Sequence, residues 1–269
     1  MARKFSDLSE EDKEFMERLY EALKSYIFSD FKFFCKKYKS LICKNIDVVA
    51  QSGNTLLQIV VNTTSGYAFE DLKKVKYFCE KFDLSLIANS QNDFLQTVLH
   101  NAVENGDLKM LKYLCKKFEL SPSIKSQDES GDSPFHSSIC SDNSRIVEYL
   151  CEKFDSSSFI HLQNNEGNTA LHFAIKSMDP EMVEILIKHC DLSSVINILS
   201  NEGNTALHEA VWKYDVEMVE LLFKNYNLSC SINIQNIDGM RPLDIAVSEG
   251  DEAMVEILSK IKESYFPSN

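Results

Sequence analysis

NTALHFAI at residues 168–175 and NTALHEAV at 204–211 decide how this chain reads. The two strings lie 36 residues apart and differ at only two positions. In phase with them lie DSPFHSSI (132–139), QTVLHNAV (96–103) and MRPLDIAV (240–247). NTLLQIVV (54–61) belongs to the set but precedes its successor by 42 residues. A fixed period in this range is the mark of a solenoid, whose units bury their apolar faces only against their neighbours.

Each unit carries two helix starts. Thr205 stands at an N-cap, and His208 follows three residues later, where a capping box carries Glu or Gln reaching back to the cap. Thr55-Leu-Leu-Gln58 is that box in literal form. Pro134 and Pro242 fall at the first helical position, where a missing N–H does no harm. The first helices are thus predicted to begin at Thr55, Thr97, Ser133, Thr169, Thr205 and Arg241. A second series of caps, Asp71, Asp107, Asn143, Asp179, Asp215 and Asp251, repeats every 36 residues. Each precedes an apolar pattern such as Met218, Val219, Leu221, Leu222, so a unit holds two helices joined by a tight turn. Glycine marks the turns: Gly106 and Gly250 before the second cap, and Gly53, Gly131, Gly167, Gly203 and Gly239 two residues before the first.

The totals agree with a folded, helix-rich chain. Among 269 residues 44% are hydrophobic, with five prolines and eight glycines. No apolar run approaches the length of a membrane span. The start, MARKFSDLSEEDKEF, lacks the apolar stretch of a signal peptide, which predicts a cytoplasmic or nuclear protein. Net charge is −13. Residues 181–269 hold 15 acids and 6 bases, whereas residues 1–50 hold 9 and 10. An acidic surface repels phosphate backbones, so nucleic acid is excluded as a partner. The run Lys32, Lys36, Lys37, Lys39 reads as a solvated helix face.

Of the eight cysteines, Cys79, Cys115 and Cys151 recur every 36 residues and hold one equivalent position. Packed helices lie too far apart for disulfides between such positions. No C-x-x-C pair argues for zinc. These cysteines read as small buried hydrophobes in a reducing compartment. Cys43, Cys140, Cys190 and Cys230 have no assignment.

The turn, the T-x-L-H phrase and the apolar V-x-L-L helix together resemble the ankyrin repeat over about 51–262. The resemblance implies an all-α solenoid, an L-shaped stack of helix pairs with hairpin loops at right angles. It further implies non-catalytic protein binding through the hairpin tips and the concave first helices. It divides the chain into N-terminal capping helices (1–50), six repeats (about 51–92, 93–128, 129–164, 165–200, 201–236 and 237–263) and a tail (264–269). Units are three residues longer than the family's, and the first carries about six more, NTTSGYAFEDL (62–72), between its helices. Leu95, Met178 and Tyr214 stand where glycine is expected, and Arg241 and Asp244 replace Thr and His in the last unit. The ends read as caps. Phe15, Met16, Leu19, Tyr20 and Leu23 make an amphipathic stripe after Ser9. Phe31–Tyr38 echoes Val75–Phe82, so a degenerate helix pair at about 9–40 shields the first repeat. The last helix, 251–263, carries the charges of a solvent-facing end.

Chemistry is sparse. His100, His136, His172 and His208 are the fourth letter of the phrase, and capping accounts for them better than a metal ladder. His161 and His189 lack any partner pattern. There is no phosphate-cradling glycine loop, no G-x-S-x-G and no H-E-x-x-H. No catalytic residue, metal ligand or cofactor is expected. By phase, the resemblance places a partner-binding surface on Glu129 and Asp132; on Asn165, Glu166, Asn168 and Lys176; on Glu202, Asn204, Trp212 and Lys213; and on Asp238, Met240 and Glu249. Trp212 reads equally as an interface anchor and as a ring packed along the Lys176 stem and Tyr214. Glu166, Glu202 and Asp238 form either an acidic ridge for a basic partner segment or a solvated one. The expected function is a scaffold or adaptor that binds a protein. The alternatives are a subunit that occludes an enzyme and an effector acting in a host cell.

Overall fold

The structure of the chain is a computed structural model describing residues 3–24, 28–50, 52–62 and 68–267. The chain forms two compact units, Met1–Glu129 and Ser130–Asn269.

The first unit opens with a two-residue strand, β1 (Arg3–Lys4), which pairs in parallel with β2 (Val48–Val49). Between them lie α1 (Glu10–Lys24), α2 (Phe28–Lys37) and α3 (Lys39–Lys44). Two helix pairs follow: α4 (Leu56–Asn62) with α5 (Ala68–Lys81), and α6 (Val98–Glu104) with α7 (Leu108–Lys117). The predicted stripe on α1 buries Phe15, Met16, Leu19 and Leu23, and α1 packs on α4. α2 packs on α5, with the Phe31 ring 6.2 Å from Phe78. The four lysines at 32, 36, 37 and 39 are exposed. Lys32 lies over the Tyr77 ring at 5.9 Å and Lys37 over Tyr38 at 5.1 Å. One expected cap fails. α5 begins at Ala68, so Asp71 lies inside the helix and is buried. The extra residues of this unit let the helix start a turn early; residues 63–67 of the 62–72 insertion lie outside those described.

The second unit holds four helix pairs: α8 (Pro134–Cys140) and α9 (Ser144–Lys153), α10 (Ala170–Lys176) and α11 (Pro180–His189), α12 (Ala206–Trp212) and α13 (Val216–Asn225), α14 (Pro242–Glu249) and α15 (Glu252–Tyr265). The first helices stack in chain order, α8 on α10, α10 on α12 and α12 on α14. α9 packs on α11, and α13 on α15. Leu171, Ile175, Leu207, Val211, Met218 and Leu222 are among the side chains sealed between the layers. Burying a Leu or Val side chain contributes roughly 1.5–3 kcal/mol.

The caps follow the sequence closely. Asp107, Asn143, Asp179, Asp215 and Asp251 each accept from backbone N–H groups of the helix they start. Turn geometry survives the loss of glycine. Leu95, Met178 and Tyr214 adopt φ of 59°, 57° and 56°, joined by Asp142 at 52°. Such a conformation costs a non-glycine residue about 1–2 kcal/mol. At Gly167 the exclusion is also spatial, because a Cβ there would lie 2.6 Å from the Asn201 backbone nitrogen.

Candidate functional site

Two of the repeated histidines, His172 and His208, are joints. Thr205 N–H donates to His208 Nδ1 at 3.1 Å, and His208 N–H donates to the Thr205 hydroxyl at 3.4 Å. With Nδ1 accepting, Nε2–H is the donor, and it meets the Met240 carbonyl at 3.2 Å. His172 does the same, from Thr169 N–H at 3.2 Å to the Asn204 carbonyl at 3.1 Å. Each imidazole therefore closes its own helix cap and grips the next helix pair. Gln58 performs both tasks with an amide, accepting from Thr55 N–H at 2.9 Å and donating to the Gln96 carbonyl at 2.7 Å. Asp244 performs only the first, accepting from Arg241 N–H at 3.0 Å. The Arg241 guanidinium, donating to it, holds the Asp244 carboxyl below the usual range. Burial pushes His172 down to about 4, against the opposing pull of the Asn204 carbonyl. Burial lowers His208 too. Both are neutral joints rather than acid–base groups.

A buried polar chain runs across the first helices of the second unit. Lys176 Nζ donates to Asn168 Oδ1 at 3.0 Å and lies 3.6 Å from Glu209 Oε1. Asn204 donates to the same Glu209 oxygen at 3.2 Å, and accepts from Asn236 at 3.2 Å. Three of the expected site residues, Asn168, Lys176 and Asn204, thus meet in one network. Asn168 is buried in it to 1% exposure and Asn204 to 3%. Glu209 was not anticipated. Its signal was present as the only charge in the two near-identical phrases, where the other copy has Phe173.

The tips are held in register by their backbones. Asn201 N–H donates to the Glu166 carbonyl at 2.9 Å and Ile237 N–H to the Glu202 carbonyl at 3.0 Å. Asn165 N–H likewise reaches the Ser130 carbonyl at 3.0 Å. The side chains of Glu166, Glu202 and Asp238 are exposed at successive rungs. Asn165 is exposed beside them, and its carbonyl accepts from the Asn201 amide at 2.7 Å. Asp132, Met240 and Lys213 are half-buried, Lys213 as the C-cap of α12. Trp212 ends α12 half-buried, and among the described residues no aromatic ring or cation stacks on it. Glu249 is exposed and accepts from the Tyr214 hydroxyl at 2.6 Å. Glu129 belongs to the first unit, where its N–H donates to the Phe94 carbonyl at 3.1 Å.

One further group collects potential metal ligands among the described residues. Donor atoms of Glu148, Glu152 and His189 lie within 4.8 Å of one another. Glu148 Oε1 is already met by Lys188 Nζ at 3.3 Å and His189 Nε2 at 3.5 Å, so the group reads as an ion-pair cluster. The sequence showed no partner pattern for His189; the packing of α9 on α11 sets its Nε2 3.5 Å from Glu148 Oε1. The same packing brings Cys151 Sγ to 3.6 Å from Cys190 Sγ. Cys43, Cys140 and Cys230 are exposed free thiols.

Four overlapping segments of the chain, 66–159, 116–199, 157–236 and 196–266, match the family model described as ankyrin repeats (3 copies). No protein of curated function matches. Among solved structures, the ankyrin repeat domain of Bcl-3, described as a unique member of the IkappaB protein family, is similar in fold at 19% identity. The likeness covers 90% of this chain and 97% of that one, with a TM-score of 0.69. No described helix is long and apolar enough to cross a membrane.

Proposed function

Because the chain belongs to the ankyrin-repeat family, whose repeats are generally protein–protein interaction modules, we propose that it is a non-catalytic adaptor that binds a protein partner through its second unit. The observation that carries this reading is the set of acidic tips. Glu166, Glu202 and Asp238 project from consecutive turns whose backbones are hydrogen-bonded to one another. A rigid row of carboxylates loses little entropy on meeting a basic segment, and it accelerates encounter at low salt. Behind the row, Lys176, Asn204 and Glu209 are committed to one another, leaving Trp212 as the aromatic at the end of α12. Half-buried aromatics of this kind serve as interface anchors. The partner is thus a protein with a basic segment beside an apolar contact. The domain limits read from the sequence and a cytoplasmic or nuclear setting are part of the same proposal.

The test is a quantitative pull-down from native lysate with wild type and two folded variants. One is Trp212→Ala with Lys213→Ala; the other is Glu166→Gln, Glu202→Gln and Asp238→Asn together. A partner retained by wild type and lost from both variants supports this surface. The triple variant should also show a weakened salt dependence. A partner retained equally by all three removes binding from this face. An enzyme that loses activity when titrated with wild type would make the role inhibitory.

A further inference from the structure

The packing of α9 on α11 sets two thiols side by side. Cys151 sits near the end of α9, and Cys190 is the C-cap of α11, with φ −126° and ψ 144°. Their sulfurs are 3.6 Å apart, and the residues are 8% and 6% exposed. The pairing is not a by-product of the repeat. The residues at the same C-cap one repeat earlier or later are Phe154 and Tyr226, and Phe118 holds it in the first unit. Cys190 alone puts sulfur at this place. The residue 39 positions after Cys79 is Phe118, whereas 39 positions after Cys151 it is Cys190. Two features, the recurrent helix cysteine and the replaced aromatic, therefore coincide once among these repeats.

We propose that Cys151 and Cys190 are a thiol-oxidation site, forming a reversible intramolecular disulfide that staples two neighbouring helix pairs when a peroxide reaches the protein. A disulfide needs the sulfurs at about 2.05 Å. The sulfurs must therefore approach by about 1.5 Å from their present 3.6 Å. The contact also differentiates the thiols. The contact with Cys151 lowers the pKa of Cys190, against the opposing effect of burial and with help from Ser156. Cys151 is raised by that same contact and by burial. We take Cys190 as the attacking sulfur and Cys151 as the resolving thiol. The Cys190 thiolate attacks one oxygen of hydrogen peroxide, the O–O bond breaks, and hydroxide leaves with Cys190 as sulfenic acid. Cys151 sulfur then attacks that sulfenic sulfur. The S–O bond breaks, the Cys151 proton goes with the departing hydroxyl as water, and the S–S bond forms. The net change is two thiols and one peroxide to one disulfide and two waters.

The experiment uses the full chain with the exposed Cys43, Cys140 and Cys230 changed to Ser, so that intermolecular bonds do not compete. The protein is treated with hydrogen peroxide, quenched, denatured and alkylated, and its peptides are read by mass spectrometry. The expected result is loss of two alkylatable thiols, a Cys151–Cys190 linked peptide, and full recovery with dithiothreitol. The oxidised form should melt on the order of 5–10 °C above the reduced form, because the bond closes a loop of about 40 residues in the unfolded chain. Cys151→Ser should leave Cys190 trapped as a single sulfenic acid, detectable with a dimedone probe. The proposal is overturned if all the buried thiols remain alkylatable under peroxide that oxidises a model peptide thiol. It is equally overturned if the linked peptide appears only after denaturant is added, or if Cys151 or Cys190 pairs with another cysteine.

Discussion

The interior helix pairs and the last one solve the same problem with different chemistry. In the pairs built on α10 and α12, the third helical residue is a buried imidazole that accepts from its own cap and donates to the following pair. In the last pair the same position is Asp244, a part-exposed carboxylate that reaches back to Arg241 only. A carboxylate cannot donate, so it closes the cap without a second bond to a carbonyl. Gln58 shows that the requirement is bifunctionality rather than imidazole as such, since its amide also accepts at one atom and donates at another. At His172, His208 and Gln58 the phrase letter thus serves the next pair as well as its own cap.

This comparison can be broken by substitution. His172→Ala strands a buried cap N–H and the buried Asn204 carbonyl together, and should cost about 2–4 kcal/mol in urea unfolding. His172→Gln restores both bonds in the manner of Gln58 and should recover most of that loss. His172→Glu, which accepts but cannot donate at neutral pH, should fall close to alanine. Asp244→Ala should cost far less than His172→Ala; equal losses at the two positions would end the distinction drawn between them.

Acid sharpens the same point. His172 is neutral in the fold with a pKa near 4, against an ordinary value of 6.5. Below about pH 6.5 the unfolded chain takes up a proton that the folded chain refuses, so stability falls with pH until about pH 4 and then levels off with respect to this group. The shift corresponds to on the order of 3 kcal/mol, and His208 adds a loss of the same sign. Denaturation midpoints measured between pH 7 and 4.5 should drop in wild type and drop less in His172→Gln. An identical pH dependence in the two proteins would mean that the joint is not the group being titrated.

The smallest expected effect concerns the turns. Met178 is held at φ 57° and is 55% exposed, so Met178→Gly relieves backbone strain while giving up little packing. Against the greater freedom of glycine in the unfolded chain, the net gain should be about 0.5–1 kcal/mol. A loss of stability would show that the exposed Met178 side chain contributes contacts that outweigh the strain.

Much of the fold was legible because its signals are short-range. A cap and its box lie within four residues, and the bond pattern at Thr205 and His208 could be written down from the letters alone. Asp71 failed for the converse reason. A six-residue insertion beside it lets α5 begin earlier, and no local rule registers how a helix uses added chain. For the candidate surface, phase came from the sequence and burial from the structure. Phase placed Glu166, Glu202 and Asp238 on successive turns, but it also placed Asn168 and Asn204 on a binding face where the structure buries them in the Lys176 and Glu209 network.

The sequence by itself determined the period, the turn positions and every repeat helix start but that of α5, because each depends on hydrogen bonds and dihedral preferences spanning a few residues. Only the tertiary structure decided which side chains meet across helix pairs. The His172–Asn204, Lys176–Glu209 and Cys151–Cys190 contacts join residues 32 to 39 positions apart. Such contacts depend on how one pair is shifted and rotated against the next, and that offset is set by the packing of whole apolar faces rather than by any local string.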